Sequence, residues 1–220
     1  MDVLIIGAGG HGKVVLDVVQ AQALHRCVGF IDANPALAGQ HVGDVQVLGQ
    51  ANLLPRLKSQ KLGAAIVAIG DWRTRLRYAR LLADQGFALV NAIHPSAVVA
   101  KSARLGQNIV VAAGAIIGPE ADIADSCIVN HAAVVDHECQ IGAGVHVCPA
   151  AALAGRVQVG EGAFLGLGCR IIQCLQIGAG AVVGAGAVVI RDVAAGETVV
   201  GVPARCLRTV PHLSVARVTS

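Results

Sequence analysis

Val129-Asn130-His131-Ala132-Ala133-Val134-Val135-Asp136-His137-Glu138-Cys139-Gln140-Ile141-Gly142-Ala143-Gly144-Val145-His146-Val147 carries a branched aliphatic at every sixth position. Reading outward, Val99, Leu105, Val111, Ile117 and Ile123 precede it, and Leu153, Val159, Leu165, Ile171, Ile177, Val183 and Val189 follow, sixteen in unbroken series. A second register lies two residues earlier, from Ala97 and Ala103 through Cys127, Cys139 and Cys169 to Ala187, all apolar and mostly small. A period of six matches neither an amphipathic helix nor an alternating strand. It matches a parallel β-helix, in which each hexapeptide is one short strand and one turn. The branched side chains point inward and stack coil on coil, with the small residues near the corners. One repeat cannot bury its own apolar side, so the repeats must stack.

The first ninety or so residues keep a different rhythm. Val3–Ile6 reads as a buried strand, followed by Gly7-Ala8-Gly9-Gly10-His11-Gly12 and a helix from His11 to Gln22. Strands are expected at Cys27–Ile31, Gln46–Leu48, Ala64–Ile69 and Ala88–Ile93, and helices at Asn52–Lys58 and Arg73–Gln85. That alternation predicts a small parallel α/β sheet. Pro95 marks the expected boundary, giving a Rossmann-like domain over 1–95 and a β-helical domain with a closing segment over 96–220.

Gly7, Gly9 and Gly12 form G-x-G-x-x-G between a strand and a helix, with Asp32 twenty positions beyond at the next strand end. Such glycines let the backbone approach a phosphate at a helix N-terminus. The sheet lacks a second mononucleotide half, so a nucleotide joined to something other than nicotinamide fits it better. A tight turn without a ligand is the competing reading.

Hydrophobic residues make up 55% of the chain and charged ones 14%, so association is expected to hide surface. The net charge of +3 is too small for a nucleic-acid binder. No apolar run is long enough to span a bilayer, and Met1-Asp2-Val3-Leu4 lacks the basic start of a signal peptide. Seven cysteines without a C-x-x-C pair read as reduced thiols of a cytoplasmic protein.

Within the bland repeats, Asn130, His131, Asp136, His137, Glu138 and His146 concentrate polarity. His137 lies two residues after inward Val135, hence at an outward turn, and a histidine flanked by carboxylates suits a general base. A solvated turn histidine is the plainer alternative. A metal site is disfavoured, because His131, His137 and His146 fall at different positions around the coil.

Taken together, the Gly7–Gly12 loop, Gly29-Phe30-Ile31-Asp32, Ala68-Ile69-Gly70-Asp71, the hexapeptides, Asp136-His137-Glu138-Cys139-Gln140-Ile141-Gly142 and Gly201-Val202-Pro203-Ala204-Arg205 resemble the bacterial nucleotide-sugar acetyltransferases with hexapeptide repeats. These are typified by UDP-N-acetylbacillosamine N-acetyltransferase, GDP-perosamine N-acetyltransferase and the sialic acid O-acetyltransferase-like proteins. The resemblance implies a left-handed β-helix with three-sided coils and a homotrimer whose active sites lie between subunits. It implies acetyl-CoA as co-substrate, no metal, and transfer to the 4-amino group of a UDP-linked sugar, for glycan or polysaccharide synthesis. By the same resemblance His137 is the catalytic base and Glu138 its carboxylate partner. Gly9, Gly10 and His11 hold the sugar-nucleotide phosphates, Asp32 and Gly70 lie beside the nucleoside, and Asn130 belongs to the active site. His146, Gly155, Leu167 and Ala185 line the acetyl-CoA groove, with Ala185 standing where a relative has glycine.

The alternatives are a GDP-perosamine N-acetyltransferase, O-acetylation of a sugar or sialic acid, a nicotinamide-dependent oxidoreductase suggested by the loop alone, and a non-catalytic scaffold.

Overall fold

The computed structural model describes residues 1–207, so residues 208–220 of the predicted second domain lie outside it. The N-terminal sheet contains β1 (Asp2–Ile6), β2 (Arg26–Ile31), β3 (His41–Val42), β4 (Val45–Gly49), β5 (Ala64–Val67) and β6 (Ala88–Leu89), in spatial order 3-4-2-1-5-6. All pairings are parallel except the β3–β4 hairpin. Helices α1 (Gly10–Gln22), α2 (Leu54–Ser59) and α3 (Trp72–Asp84) connect and cover them. The strands read as continuous apolar runs because both faces are covered. One side buries Val15, Val18 and Val19 of α1 with Val3 and Ile5, and the other buries Leu82 with Leu4 and Ile6.

The chain runs from β1 out to β4 and then crosses to β5 on the other side of β1. The ends of β1 and β5 therefore flank the switch point of the sheet, where open α/β sheets bind ligands. The Gly-rich loop follows the first, and Ala68–Asp71 follows the second.

The expected last strand, Ala88–Ile93, is divided. β6 completes the N-terminal sheet, whereas β7 (Ala92–Ile93) pairs with Val110–Val111 and is already the first rung of the solenoid. The periodicity could not show this break, because both halves are equally apolar and only hydrogen-bond partners distinguish them. Val90–Asn91 carries the chain across, ahead of Pro95.

From there the chain winds a left-handed parallel β-helix with three faces. Successive coils are in register at eighteen residues: Val110 lies against Ile128, Ile116 against Val134, and Asp122 against Gln140. The inward aliphatics from Val111 to Val189 are buried, as are Cys127, Cys139 and Cys169 of the small register. Each buried branched side chain contributes about 1.5–3 kcal/mol of transfer free energy, which is why a period of six with no charge inside suffices to wind the coil.

The three faces differ in what they turn outward. The first, carrying Ala92, Val110, Ile128, His146, Phe164 and Val182, is covered over its early rungs by α1, with Ala92 and Val110 in the same apolar cluster as Val15 and Val18. The second presents Val98, Ile116, Val134, Ala152, Arg170 and Val188, with Val98 61% and Ile116 42% exposed. The third presents Arg104, Asp122, Gln140, Gln158 and Gln176.

Arg75, Asn108 and Ser126 are the buried polar side chains among the described residues, and they meet where sheet and solenoid join. Arg75 donates to the carbonyls of Ile69 and Gly70 in one domain and of Ser126 and Gly144 in the other, at 2.6–2.8 Å. Asn108 accepts from Val67 N at the end of β5 and donates to Ser126 Oγ. Gly162 and Gly144 lie beneath Trp72 and Leu76, and a methyl group on Gly162 would overlap the indole. The join is thus rigid, and it fixes the Gly-rich loop relative to the coil.

Candidate active site

The glycines of the N-terminal loop separate into two kinds. Gly7, with φ +107°, and Gly12, whose added Cβ would strike the Gly7 carbonyl, are demanded by the fold itself. Gly9, Gly10 and Gly70 are exposed, and a Cβ on any of them would meet nothing within 4 Å. Packing does not call for glycine there, whereas an anion approaching the N-terminus of α1 does, since that end has no capping side chain. Asp32 sits at the end of β2 as expected, but its carboxylate faces inward. Oδ2 accepts from Ala8 N at 2.7 Å and Oδ1 from Asn34 N at 2.9 Å. It shapes the loop from beneath, and it also lines a cavity of about 260 Å³ with Ile31, Ile69, Thr74, Arg77 and Tyr78.

His11, in the first turn of α1, comes against the first face of the solenoid. Its ring centroid is 6.4 Å from that of His146, which meets Phe164 edge-on at 5.4 Å. Asn130 Oδ1 accepts from His131 N at 2.8 Å and faces His131 Nδ1, so its amide group donates to His146 Nε2 at 3.1 Å. In the neutral His146 ring the proton therefore sits on Nδ1. Burial, with the neighbouring charges of His11 and Arg75, pushes the His146 pKa down to about 3. Burial, then Arg75 and His131, pushes His11 down to about 4. Arg75 itself is lowered by burial to about 10 and stays a cation. These rings are neutral at physiological pH. Among the described residues the Nε2 atom of His11 is buried without a partner.

His137 lies at another corner, between the second and third faces, outward as the register predicts. Its Nδ1 is 2.9 Å from Glu138 Oε2, and Asp136 Oδ1 accepts from His137 N at 2.7 Å. The Glu138 carboxyl is held below its ordinary pKa by its hydrogen bonds to His137 and then Arg156. The imidazole covers Gly155 one coil later: a Cβ there would overlap Nε2 and Cε1. Among the described residues nothing accepts the Gly155 N–H, while its carbonyl accepts from Cys174 N. Cys139, two residues from His137, points into the core, where burial raises its thiol pKa and Sγ faces Ala154 O at 3.2 Å.

Leu167, 57% exposed, and Ala185, also exposed, lie at the corner between the first and second faces, in line with His131. The candidates thus form two groups on one chain. His137, Glu138 and Gly155 occupy one edge of the second face. Asn130, His146, Leu167 and Ala185 lie at its other edge and on the adjoining first face, with His11 and the Gly-rich loop docked there. Arg75, Arg156 and Phe164 were missed by the sequence reading. A 3.6 period places Arg75 on one stripe with Ala79 and Leu82, and Arg156 follows Glu138 by one coil of eighteen residues.

Residues 2–82 match the family described as PglD N-terminal domain. UDP-N-acetylbacillosamine N-acetyltransferase of Bacillus subtilis is 36% identical over 114 residues, which is 51% of this chain and 51% of that protein, so the match spans about half the length of the curated relative. PerB from Caulobacter crescentus, solved with CoA and GDP-perosamine, is 48% identical with a TM-score of 0.90 over 94% of this chain and 97% of that one. The acetyltransferase domain of PglB from Neisseria gonorrhoeae, solved with acetyl coenzyme A, is 37% identical with a TM-score of 0.87 over 94% and 98%. No helix among the described residues is long and apolar enough to cross a membrane.

Proposed function

The chain belongs to the bacterial nucleotide-sugar acetyltransferases with hexapeptide repeats, and from that premise we propose that it is an N-acetyltransferase moving the acetyl group of acetyl-CoA to the 4-amino group of a nucleotide-linked sugar. What carries this reading is His137. It is a histidine bound through Nδ1 to a carboxylate, with Nε2 seated over a glycine whose N–H has no acceptor among the described residues. That places a proton acceptor next to an oxyanion donor, the two requirements of acyl transfer to an amine.

The diphosphate rests on Gly9, Gly10 and the N-terminus of α1, with the nucleoside beside Asp32 and Gly70. The sugar amine attacks the thioester carbonyl; the N–C bond forms and the carbonyl oxygen becomes an oxyanion facing the Gly155 N–H. His137 Nε2 takes the proton from the nitrogen. On collapse the C–S bond breaks, its electron pair leaves with sulfur, and the proton held on His137 passes to the coenzyme A thiolate, which restores the neutral imidazole. No cysteine takes part. His146, Leu167 and Ala185 line the acetyl-CoA groove, and Asn130 orients His146.

The division of labour follows the chain, with the sheet domain for the sugar nucleotide and the solenoid for acetyl transfer, the change falling at the Val90–Asn91 crossing a few residues ahead of the expected boundary at Pro95. The assembly is a homotrimer that covers the apolar second face. Each site joins the His137 corner of one protomer to the His146 face of the next, because the two groups lie on different edges of that face. The reaction belongs to the cytoplasm, where the seven free thiols stay reduced. A UDP-linked sugar of the N-acetylbacillosamine type is the first reading of the substrate. A GDP-linked 4-amino sugar is the second, favoured by the near full-length match to PerB.

A panel of UDP- and GDP-linked 4-amino sugars with acetyl-CoA, read by thiol release, tests the activity. Release with an amino sugar and none with its hydroxyl analogue is expected. Thiol release only with hydroxyl sugars, or with none, overturns it. A fully active 22.3 kDa monomer by light scattering would overturn the shared site.

A further inference from the structure

Each corner of the solenoid contains a residue with left-handed backbone, and these residues stack from coil to coil. At two corners the column is small: Gly114, Ala132, Ala150, Gly168 and Gly186 at one, and Asn108, Ser126, Gly144, Gly162 and Gly180 at the other. At the corner of His137 the column is Glu120, Glu138, Arg156 and Cys174, with φ of 59°, 56°, 62° and 61°. Left-handed backbone disfavours side chains of this kind, and strain that glycine would relieve at no loss of packing points to function.

We propose that Arg156 is a positioning residue of the acetyl-transfer reaction, holding the Glu138 carboxylate against Nδ1 of His137 from the following coil. This rests on the reading of His137 as the base. Arg156 Nε donates to Glu138 Oε2 at 3.0 Å, the same oxygen that faces His137 Nδ1 at 2.9 Å. Arg156 N donates to the His137 carbonyl at 2.9 Å. That backbone bond recurs along the column, as from Glu138 N to Pro119 O and from Cys174 N to Gly155 O, so what is particular to Arg156 is the hold of its side chain on the carboxylate. Stability does not explain the pair, since the side chains are 62% and 41% exposed and such ion pairs contribute little.

Two consequences follow from sharing one oxygen. The Glu138 rotamer is fixed, so the His137 proton stays on Nδ1 and the lone pair of Nε2 stays over Gly155. Arg156 also draws off part of the carboxylate charge that would otherwise favour imidazolium. The other charged or titratable groups around His137 are Asp136 on its own turn, Glu120 and Arg104 from earlier coils, and Cys174 from a later one; Arg104 is paired with Asp122 at 2.9 Å.

The test is steady-state kinetics across pH on Arg156→Met, Arg156→Lys, Glu138→Gln and His137→Ala, with trimer mass and circular dichroism as controls for folding. Arg156→Met is expected to lower kcat about tenfold with both KM values unchanged, the signature of a misaligned base. Its acid limb in the pH–rate profile moves to higher pH, because the freed carboxylate stabilises the imidazolium, whereas Glu138→Gln moves that limb lower. Arg156→Lys restores part of kcat, and Arg156→Met added to His137→Ala has no further effect. Wild-type kcat and an unmoved limb in Arg156→Met, beside an inactive His137→Ala, would overturn the positioning role alone. An unmoved limb with lost activity and a lowered melting temperature would overturn it in favour of a structural role. An active His137→Ala would instead remove the base on which the proposal rests.

Discussion

His137 and the His11–His146 pair are the same residue type in opposite surroundings. His137 stands on an outward corner, its side chain 47% exposed, with a carboxylate on Nδ1. His11 of α1 and His146 of the first face meet where the helix docks on the solenoid, with Arg75 buried nearby and no carboxylate among their partners in the described residues. A general base must accept a proton and return it, which calls for an anion to stabilise the imidazolium and a path to water. A neutral hydrogen-bonding group must not titrate, which calls for desolvation and a cation. On the proposed reading one chain makes both, with one histidine on a corner and two held where α1 meets the solenoid. The role is therefore decided by environment, and each environment can be altered separately.

The largest effect is expected at the exposed histidine. His137→Ala should lower kcat by about 10²- to 10⁴-fold and leave the KM for acetyl-CoA nearly unchanged, since the interaction is made in the transition state. Circular dichroism should be unchanged because the corner adds little to the stacked core. Near-wild-type kcat would erase the contrast between the two environments and leave His146 as the next candidate.

Gly155→Ala probes the same corner with one methyl group. Gly155 does not have left-handed backbone, so alanine is tolerated by the main chain, but the methyl occupies the place of the His137 ring. Displacing a base from its reacting geometry should cost about 100-fold in kcat, with little change in melting temperature. An unaffected enzyme would mean that the imidazole does not work from above Gly155.

The smallest effect concerns stability. The two buried rings are lowered from 6.5 to about 4 and about 3. As pH falls from 6.5 the unfolded chain binds protons that the folded chain refuses, so stability is full above that pH and is lost progressively below it. The slope is at most about 1.4 kcal/mol per pH unit for each ring. Urea midpoints measured across that window should fall more steeply in the wild type than in a His11→Gln, His146→Gln double variant. Equal slopes would show both rings to be hydrated, ending the distinction from His137.

Much of this is legible in the amino-acid sequence. The aliphatics at every sixth residue defined the solenoid because inward packing repeats locally and needs no distant partner. The same register placed His137 outward and Cys139 inward. The Gly-rich loop was equally readable, since a strand, a tight turn and a helix start leave their mark on adjacent residues. What composition and spacing left open was which glycines the fold itself requires. Gly12 is needed by the Gly7 carbonyl, whereas Gly9 and Gly10 face open space, and the three look alike in the sequence.

The chain order alone therefore determined the two kinds of architecture, the inward and outward registers, and the turn that bears the His137–Glu138 pair. The tertiary structure alone decided that Ala88–Ile93 divides between two sheets, that the Asp32 carboxylate supports the loop from beneath, and that Arg75 joins sheet to coil through four carbonyls. It alone brought His11 to His146 and set Arg156 on Glu138. The reason is range. A period of six is enforced by contacts within one repeat and its neighbours in the stack, whereas the meeting of residues far apart in the chain depends on how α1 and α3 dock on the solenoid, and no local pattern encodes that docking.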